Sequence, residues 1–341
     1  MKFIYFTDIH LCEGRDSEPG FKTCIESMLA HEPEVLVNGG DLGITPAATS
    51  LYAELTRDIP VPIILSNGNH EMCSGYLPRE RAGTLHRSAD IGGVHFVALD
   101  VVRYFEPTEE HRWNWHVLAD DYLLEWLSAD LAGVDRHTPL VVATHVPLST
   151  SFPGRTGQLP GMDFPTNEIA RGERILECLK PFFNVITLHG HDHENCRHFV
   201  DHIEIMTTAA VAGNWWKNGL DSRCAHGREP QGYRVVEVGD DGSFSSCYTA
   251  FLPRCDEPAE VFYHAPSGRR FINVFDASPK TRVEVEDLGD LSMIDPQSDS
   301  SRWLSTHLYE LPAGFERRRI PVRIEFEDGR VYEPVLEEAE L

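Results

Sequence analysis

The 341-residue chain lacks any run of 18 or more apolar residues, so no transmembrane helix is expected. It lacks a recognisable secretory leader. Lys2 is followed by Phe-Ile-Tyr-Phe, and Asp8 interrupts the apolar run before it reaches useful length. A cytoplasmic location is the expectation. No C-x-x-C pair occurs. The eight cysteines, at 12, 24, 73, 178, 196, 224, 247 and 255, are scattered, which argues against a disulfide framework and for free thiols packed as small hydrophobes. No internal repeat or low-complexity tract stands out, which excludes a solenoid. Basic residues are scarce: 30 Lys and Arg face 54 Asp and Glu, for a formal net charge of −24. So acidic a surface repels nucleic acid, and no nucleic-acid polymer is expected as partner. It also repels phosphate esters, unless a metal centre supplies local positive charge.

What is present is ordinary globular composition, 41% hydrophobic and 25% charged. The length suggests two domains, or three. From the N-terminus, short apolar runs alternate with amphipathic segments. "KFIYFTDIH", "EVLVNGGD", "VPIILSNGNHE", "VHFVALD", "PLVVATHVP" and "FNVITLHGHDH" have the pattern of buried strands. "FKTCIESMLAHEP", "ATSLYAELTRDI", "ADDYLLEWLSADLAGV" and "NEIARGERILECLKP" have helical spacing, the first and last stopped by Pro33 and Pro181. Alternating strands and helices indicate an α/β layered core of β-sheets flanked by helices. After about residue 196 the pattern changes to strand-like runs separated by Gly, Pro, Asp and Ser turns. The first of these complete the sheets of a domain at 1–253. The remainder, 257–341, is expected to form a small all-β immunoglobulin-like sandwich of about five or six strands. "LPRCDEPAE" is the expected linker.

The informative regularity is where the strands end. Five apolar strands run out into metal-capable or polar residues: Asp8 and His10, then Asp41, then Asn69 and His70, then His145, then His191 and His193. In open α/β sheets the functional crevice lies beyond the carboxyl ends of the strands. Chance could place a His or Asp at one or two such ends, but hardly at five. Oxygen ligands mixed with imidazoles suit Mn, Fe, Zn or Co. Each position has a bland alternative taken alone. Asp8 could be a helix cap, His10 a loop residue, Gly40-Asp41 and Gly68-Asn69 turns, and His145 a structural histidine.

The set D-x-H (Asp8, His10), G-D (Gly40, Asp41), G-N-H-E (Gly68 to Glu71), His145 and G-H-x-H (Gly190, His191, His193), in that order, resembles the calcineurin-like metallophosphoesterase superfamily. "GYRVVEV" and "FINVFDASPKTRVEVED" are similar to a subgroup with an extra C-terminal β domain. The resemblance implies two divalent transition metal ions. Asp8, His10, Asp41 and His193 would hold the first, and Asp41, Asn69, His145 and His191 the second, with Asp41 bridging. It further implies hydrolysis of a phosphate ester, preferably a diester. A metal-held hydroxide would attack phosphorus, and His70 would assist at the leaving-group oxygen. Glu71 could orient His70 or support the metal ligands as a carboxylate behind them.

The alternatives are a phosphomonoesterase of the same superfamily and a non-catalytic scaffold that binds proteins. Such scaffolds usually lose ligands, and here all seven positions are filled. The purple acid phosphatase branch is disfavoured, because its iron-ligating tyrosine would sit where this chain has Ile44. Arg155, His189 and Trp215 are candidate substrate contacts, each with a bland alternative: a solvated arginine, a buried hydrogen-bonded histidine and a packed tryptophan. Trp216, Cys12 and Cys73 stand close to the motifs, with packing as the plainer reading. The segments 103–116 and 151–166 are candidate rims. A homo-oligomer is compatible with all of this.

Overall fold

The computed structural model describes residues 1–72, 86–104, 115–156, 168–213, 215–216, 227–252, 257–265, 267–294 and 305–338. Cys73, most of the two candidate rims, and the expected junction at 253–256 lie outside them. In chain order the main body carries β1 (Lys2–Phe6), β2 (Val35–Asn38), β3 (Ile63–Leu65), β4 (Arg87–Ile91), β5 (Val94–Leu99), β6 (Val102–Tyr104), β7 (Trp115–Val117), β8 (Leu140–Thr144), β9 (Val185–His189), β10 (Cys196–Val200), β11 (Ile203–Thr207), β12 (Gly232–Val238) and β13 (Phe244–Ala250). Its helices are α1 (Ser17–Leu29), α2 (Pro46–Thr56), α3 (Asn69–Met72), α4 (Asp121–Leu131), α5 (Phe152–Thr156) and α6 (Gly172–Leu179).

Two mixed sheets face one another. One has the order β13-β12-β1-β2-β3, the other β10-β11-β9-β8-β5-β4. The period-two alternation of each strand feeds two different cores. Phe3 and Tyr5 of β1, with Val35 and Val37 of β2, meet Val141, Ala143, Ile186 and Leu188 of β8 and β9 between the sheets. Ile4, Phe6 and Leu36 point the other way, under Phe21, Cys24, Ile25 and Met28 of α1. Those four recur at helical spacing, which is why this segment packs as a helix. Leu140, Val142 and Val185 lie beneath Leu123, Leu127 and Leu131 of α4 and Ile175 and Leu179 of α6. The result is helix, sheet, sheet, helix. The strands β1, β2, β5, β8 and β9 are buried on both faces, so each appears in the sequence as an unbroken apolar run.

Caps place the helices. Thr45 accepts from the Ala48 amide ahead of Pro46, and Asp120 accepts from the Leu123 amide, each contributing about 1 kcal/mol. The expected helix at 167–181 starts later, at Gly172, because Arg171 sits in the left-handed region with φ 63°. The strands β4, β6 and β7 were not expected. Among the described residues, no helix is long and apolar enough to cross a membrane.

The C-terminal part adds β14 (Ala259–His264), β15 (Arg269–Val274), β16 (Arg282–Val285), β17 (Gly289–Leu291), β18 (Leu308–Glu310), β19 (Arg319–Glu325), β20 (Val331–Tyr332) and β21 (Val335–Glu337). They form two sheets, β14-β15-β18 and β17-β16-β19-β20 with β21 also on β19. Val261, Ile272, Val283, Ile320, Val322 and Ile324 share one core. Among the described residues these are eight strands, where five or six were expected, and their two sheets fit an extra β domain. Its shortest strands have two or three residues, too few for alternation to register in sequence.

Candidate metal centre

The parallel strands β1, β2, β3, β8 and β9 end side by side, and the five polar constellations meet there. The chain turns sharply as it leaves the sheets. Asp8, His10, Asp41, His191 and His193 all have φ between 49° and 66°. A left-handed backbone at a residue other than glycine costs on the order of 1–2 kcal/mol. Loop-to-loop hydrogen bonds hold it. The amides of Asp8, His10 and Leu11 donate to the carbonyls of Gly40, Asp41 and Leu42, at 3.0, 3.0 and 2.7 Å. Two glycines allow the carboxylates to seat. A Cβ on Gly190 would stand 2.2 Å from Asp8 Oδ2, and one on Gly68 would stand 2.1 Å from Asp41 Oδ1.

Three groups of side chains converge closely enough to hold metal ions: Asp8, His10 and His193; His10, Asp41 and His70; and Asp8, Asp41 and His145. His193 Nε2 is 3.1 Å from Asp8 Oδ1 and 3.2 Å from His10 Nε2. Asp41 Oδ2 is central, 3.3 Å from His145 Nε2, 3.8 Å from His70 Nε2 and 3.9 Å from His10 Nε2. Asn69 Oδ1 reaches His145 Nε2 at 3.0 Å. His145 Nδ1 donates to the Gly39 carbonyl at 2.9 Å, which turns Nε2 toward the carboxylates. Of the expected Asp and His ligands, His191 alone belongs to none of the three groups among the described residues. Its amide donates to Asp8, and its ring lies 5.2 Å from that of His145 and 5.7 Å from that of Trp115.

Electrostatics fit divalent cations. Burial raises the pKa of Asp8, but His193 and His145 outweigh it, and the carboxyl falls well below its usual range. Asp41 is likewise depressed: burial is outweighed by His145, His70 and His10. Burial lowers His145, yet Asp41 and Asp8 lift it to about 10. Two buried carboxylates at this spot demand positive charge nearby. Imidazole nitrogens and carboxylate oxygens crowded within hydrogen-bond distance are the donor set that Mn, Fe, Co or Zn ions take.

Two carboxylates do work that the sequence did not disclose. Glu13 faces His10 Nδ1 at 3.3 Å and His70 Nδ1 at 3.1 Å. Its carboxyl drops to about 2: burial opposes this, and the two imidazoles overcome it. The only hint was its position three residues after His10. Glu71, expected either to orient His70 or to support the ligands from behind, takes the second part as a backbone clip. It accepts from the amides of Asp41 and Gly68, at 3.1 and 2.6 Å, and from that of Leu42. It therefore locks the β2 and β3 loops together, and burial lifts its carboxyl to about 7.

The expected substrate contacts divide. Trp215 is partly exposed, and its ring stands edge-on to His10 and His193 at 5.7 and 5.9 Å. It walls the cluster. Trp216 is buried, its indole donating to the Ile9 carbonyl at 2.8 Å. His189 is fully buried between Thr144 (2.8 Å) and Thr187 (2.9 Å), with both ring nitrogens occupied. It therefore does not meet substrate. Arg155 is not solvated and does not face the cluster, because it is buried against the Glu194 carboxylate. Cys12 is exposed, its amide donating to Ser17.

A two-sheet α/β sandwich with an Asp and His cluster beyond its strand ends defines a metallophosphoesterase architecture. The model of the calcineurin-like phosphoesterase family matches residues 1–195, so the chain belongs to that family. Among solved structures, a dimetal phosphatase from Danio rerio is similar over 81% of this chain and 99% of its own, at 12% identity and a TM-score of 0.56. A purple acid phosphatase from yellow lupin (Lupinus luteus) is similar over 74% of this chain and 51% of its own, at 16% identity and a TM-score of 0.49. The first likeness shows a common fold. No curated protein matches the chain in sequence.

Proposed function

We propose that this phosphoesterase hydrolyses a phosphodiester at a dinuclear site, with His70 as proton donor to the leaving group. Asp8, His10, Asp41 and His193 would hold one ion, and Asp41, Asn69, His145 and His191 would hold the other. Two such ions would polarise the phosphoryl oxygens and lower the pKa of water. The remaining work falls to the chain. Asp8 and Asp41 balance the cationic charge. The Asp41 carboxylate also accepts from the His70 amide at 2.8 Å, fixing the start of α3. Glu13 holds His70 Nδ1 and leaves Nε2 facing the cluster, 3.8 Å from Asp41 Oδ2. Trp215 shields one flank.

The carrying observation is the pair His70–Glu13 at the edge of the cluster. Burial lowers the pKa of His70, but the Asp41 and Glu13 carboxylates beside it outweigh that and favour its protonated form. A diester is favoured for a further reason. Among the described residues, no lysine or arginine pairs with Asp8, Asp41 or Glu13. A singly charged diester asks for less compensation than a doubly charged monoester.

The test is His70→Ala on a panel of phosphate esters. The variant should retain its metals and lose about 100-fold or more in kcat, the usual range for a lost general acid. The loss should be larger for an alkyl than for a nitrophenyl leaving group, because the poorer leaving group needs the proton more. Equal losses on both would remove His70 as the acid. Faster turnover of monoesters than of diesters by the unaltered enzyme would overturn the substrate class.

A further inference from the structure

The loop that carries His191 and His193 does not end at the metal cluster. Asp192, Glu194 and Asn195 are all buried and tied in different directions. Thr150 donates to Asp192 Oδ2 at 2.7 Å, and Arg155 pairs with Glu194. Asn195 points away from the cluster, toward the C-terminal strands. Its side-chain amide donates to the Phe275 carbonyl at 2.7 Å, and its Oδ1 accepts from the Ala209 amide at 3.0 Å. Its backbone amide donates to Glu229 Oε1 at 2.9 Å, and the same oxygen faces His307 Nε2 at 2.7 Å. Glu229 and His307 are both almost completely buried. His307 comes from the segment just before β18, more than one hundred residues from the loop. Ser305 supports its other ring nitrogen at 3.1 Å.

The contact is broad as well as specific. In the turn after β15, Asp276 lies against Arg234 at 2.6 Å and accepts from the Tyr248 amide at 2.9 Å. Arg197, on the strand directly after the metal loop, donates to the Asp276 carbonyl at 3.1 Å and pairs with Glu327. Buried charge pairs of this kind require fixed geometry, so the C-terminal strands are tied directly to the strands that flank the loop.

We propose that His307 is a positioning residue for the metal loop. Through Glu229 it holds the Asn195 amide, and with the Phe275 carbonyl it sets where His193 stands, two residues earlier. The C-terminal β strands thereby tune metal affinity without touching metal or substrate. The inference rests on His193 being a metal ligand. Partners that orient ligands from outside the coordination sphere typically change metal affinity about 10–100-fold.

The test compares two full-length variants. His307→Leu keeps the bulk and removes the donor, and His307→Gln restores an N–H near the position of Nε2. Cobalt(II) is titrated into the metal-free proteins and followed by its ligand-field absorption, with melting temperature measured alongside. Cobalt binding by the Leu variant should weaken about tenfold, and by the Gln variant stay within about twofold of the unaltered protein. Equal binding by the two variants overturns the inference alone, whether both match the unaltered protein or both are weakened. Failure of the unaltered protein to bind cobalt overturns the metal assignment and the inference with it. Should the Leu variant not fold, Asn195→Ala takes its place, because it removes the tie to Phe275. It should bind cobalt about tenfold more weakly, and unchanged binding would refute the proposal.

Discussion

Gly190→Ala probes how the metal loop and the first strand are joined. A Cβ at residue 190 would lie 2.1 Å from Thr7 Oγ1 and 2.2 Å from Asp8 Oδ2, where ordinary contact begins at 3.4 Å. One side must retreat by about 1 Å, and both are fixed. Thr7 Oγ1 donates to Asp8 Oδ2 at 2.7 Å, and the His191 amide donates to the same oxygen at 3.1 Å. Overpacking of this kind costs about 1–3 kcal/mol of stability. The chemistry should suffer more, because a displacement of about 1 Å at a reacting centre can cost about 100-fold. Elemental analysis, melting temperature and turnover of an aryl phosphodiester are measured together. Gly133→Ala serves as control, since nothing lies within 4 Å of its Cβ. The variant should melt a few degrees lower and lose metal occupancy along with about 100-fold of its turnover. Full metal content and turnover within about threefold of the unaltered enzyme would refute the claim that Gly190 seats Asp8.

Glu13→Gln should move the alkaline limb of the kcat profile to lower pH. His70 is raised to about 9: burial lowers it, but Asp41 and Glu13 outweigh that effect, so activity needing its proton is present below that pH and lost above it. Removing the Glu13 charge brings the loss earlier, and an unmoved limb would separate Glu13 from His70. Asp276→Ala should lower chemical stability at neutral pH by about 3–5 kcal/mol, since it strips the partner from fully buried Arg234. The shift in the urea midpoint checks it, and a change below about 1 kcal/mol would mean that the arginine finds other partners.

Several parts of this molecule were visible in one dimension. Strands buried on both faces must be continuous apolar runs, so β1, β2, β5, β8 and β9 showed themselves by length and by their polar ends. The amphipathic spacing of Phe21, Cys24, Ile25 and Met28 marked α1 for the same physical reason. Other features had no such signal. In β6 and β7 the three-residue pairing is too short to show a period. Arg171 ends the run before α6 by a left-handed turn that an arginine does not advertise. His189 sits in the same motif as two expected ligands, yet its neighbours Thr144 and Thr187 absorb both of its nitrogens.

Sequence alone determined the inventory of this protein: the α/β order, the added β strands and the polar residues at five strand ends. Each is a local consequence of burial and turn chemistry. Tertiary structure decided which residues cooperate. Glu13 meets His70 across 57 positions only because the chain reverses at His10 and Cys12, both left-handed. Glu71 clips two loops because β2 and β3 are parallel neighbours. His307 reaches the loop after β9 only because the C-terminal strands pack against β10 and β12. Hydrogen bonds and ion pairs act over about 3 Å, and nothing in a linear chain specifies which distant groups will come that close.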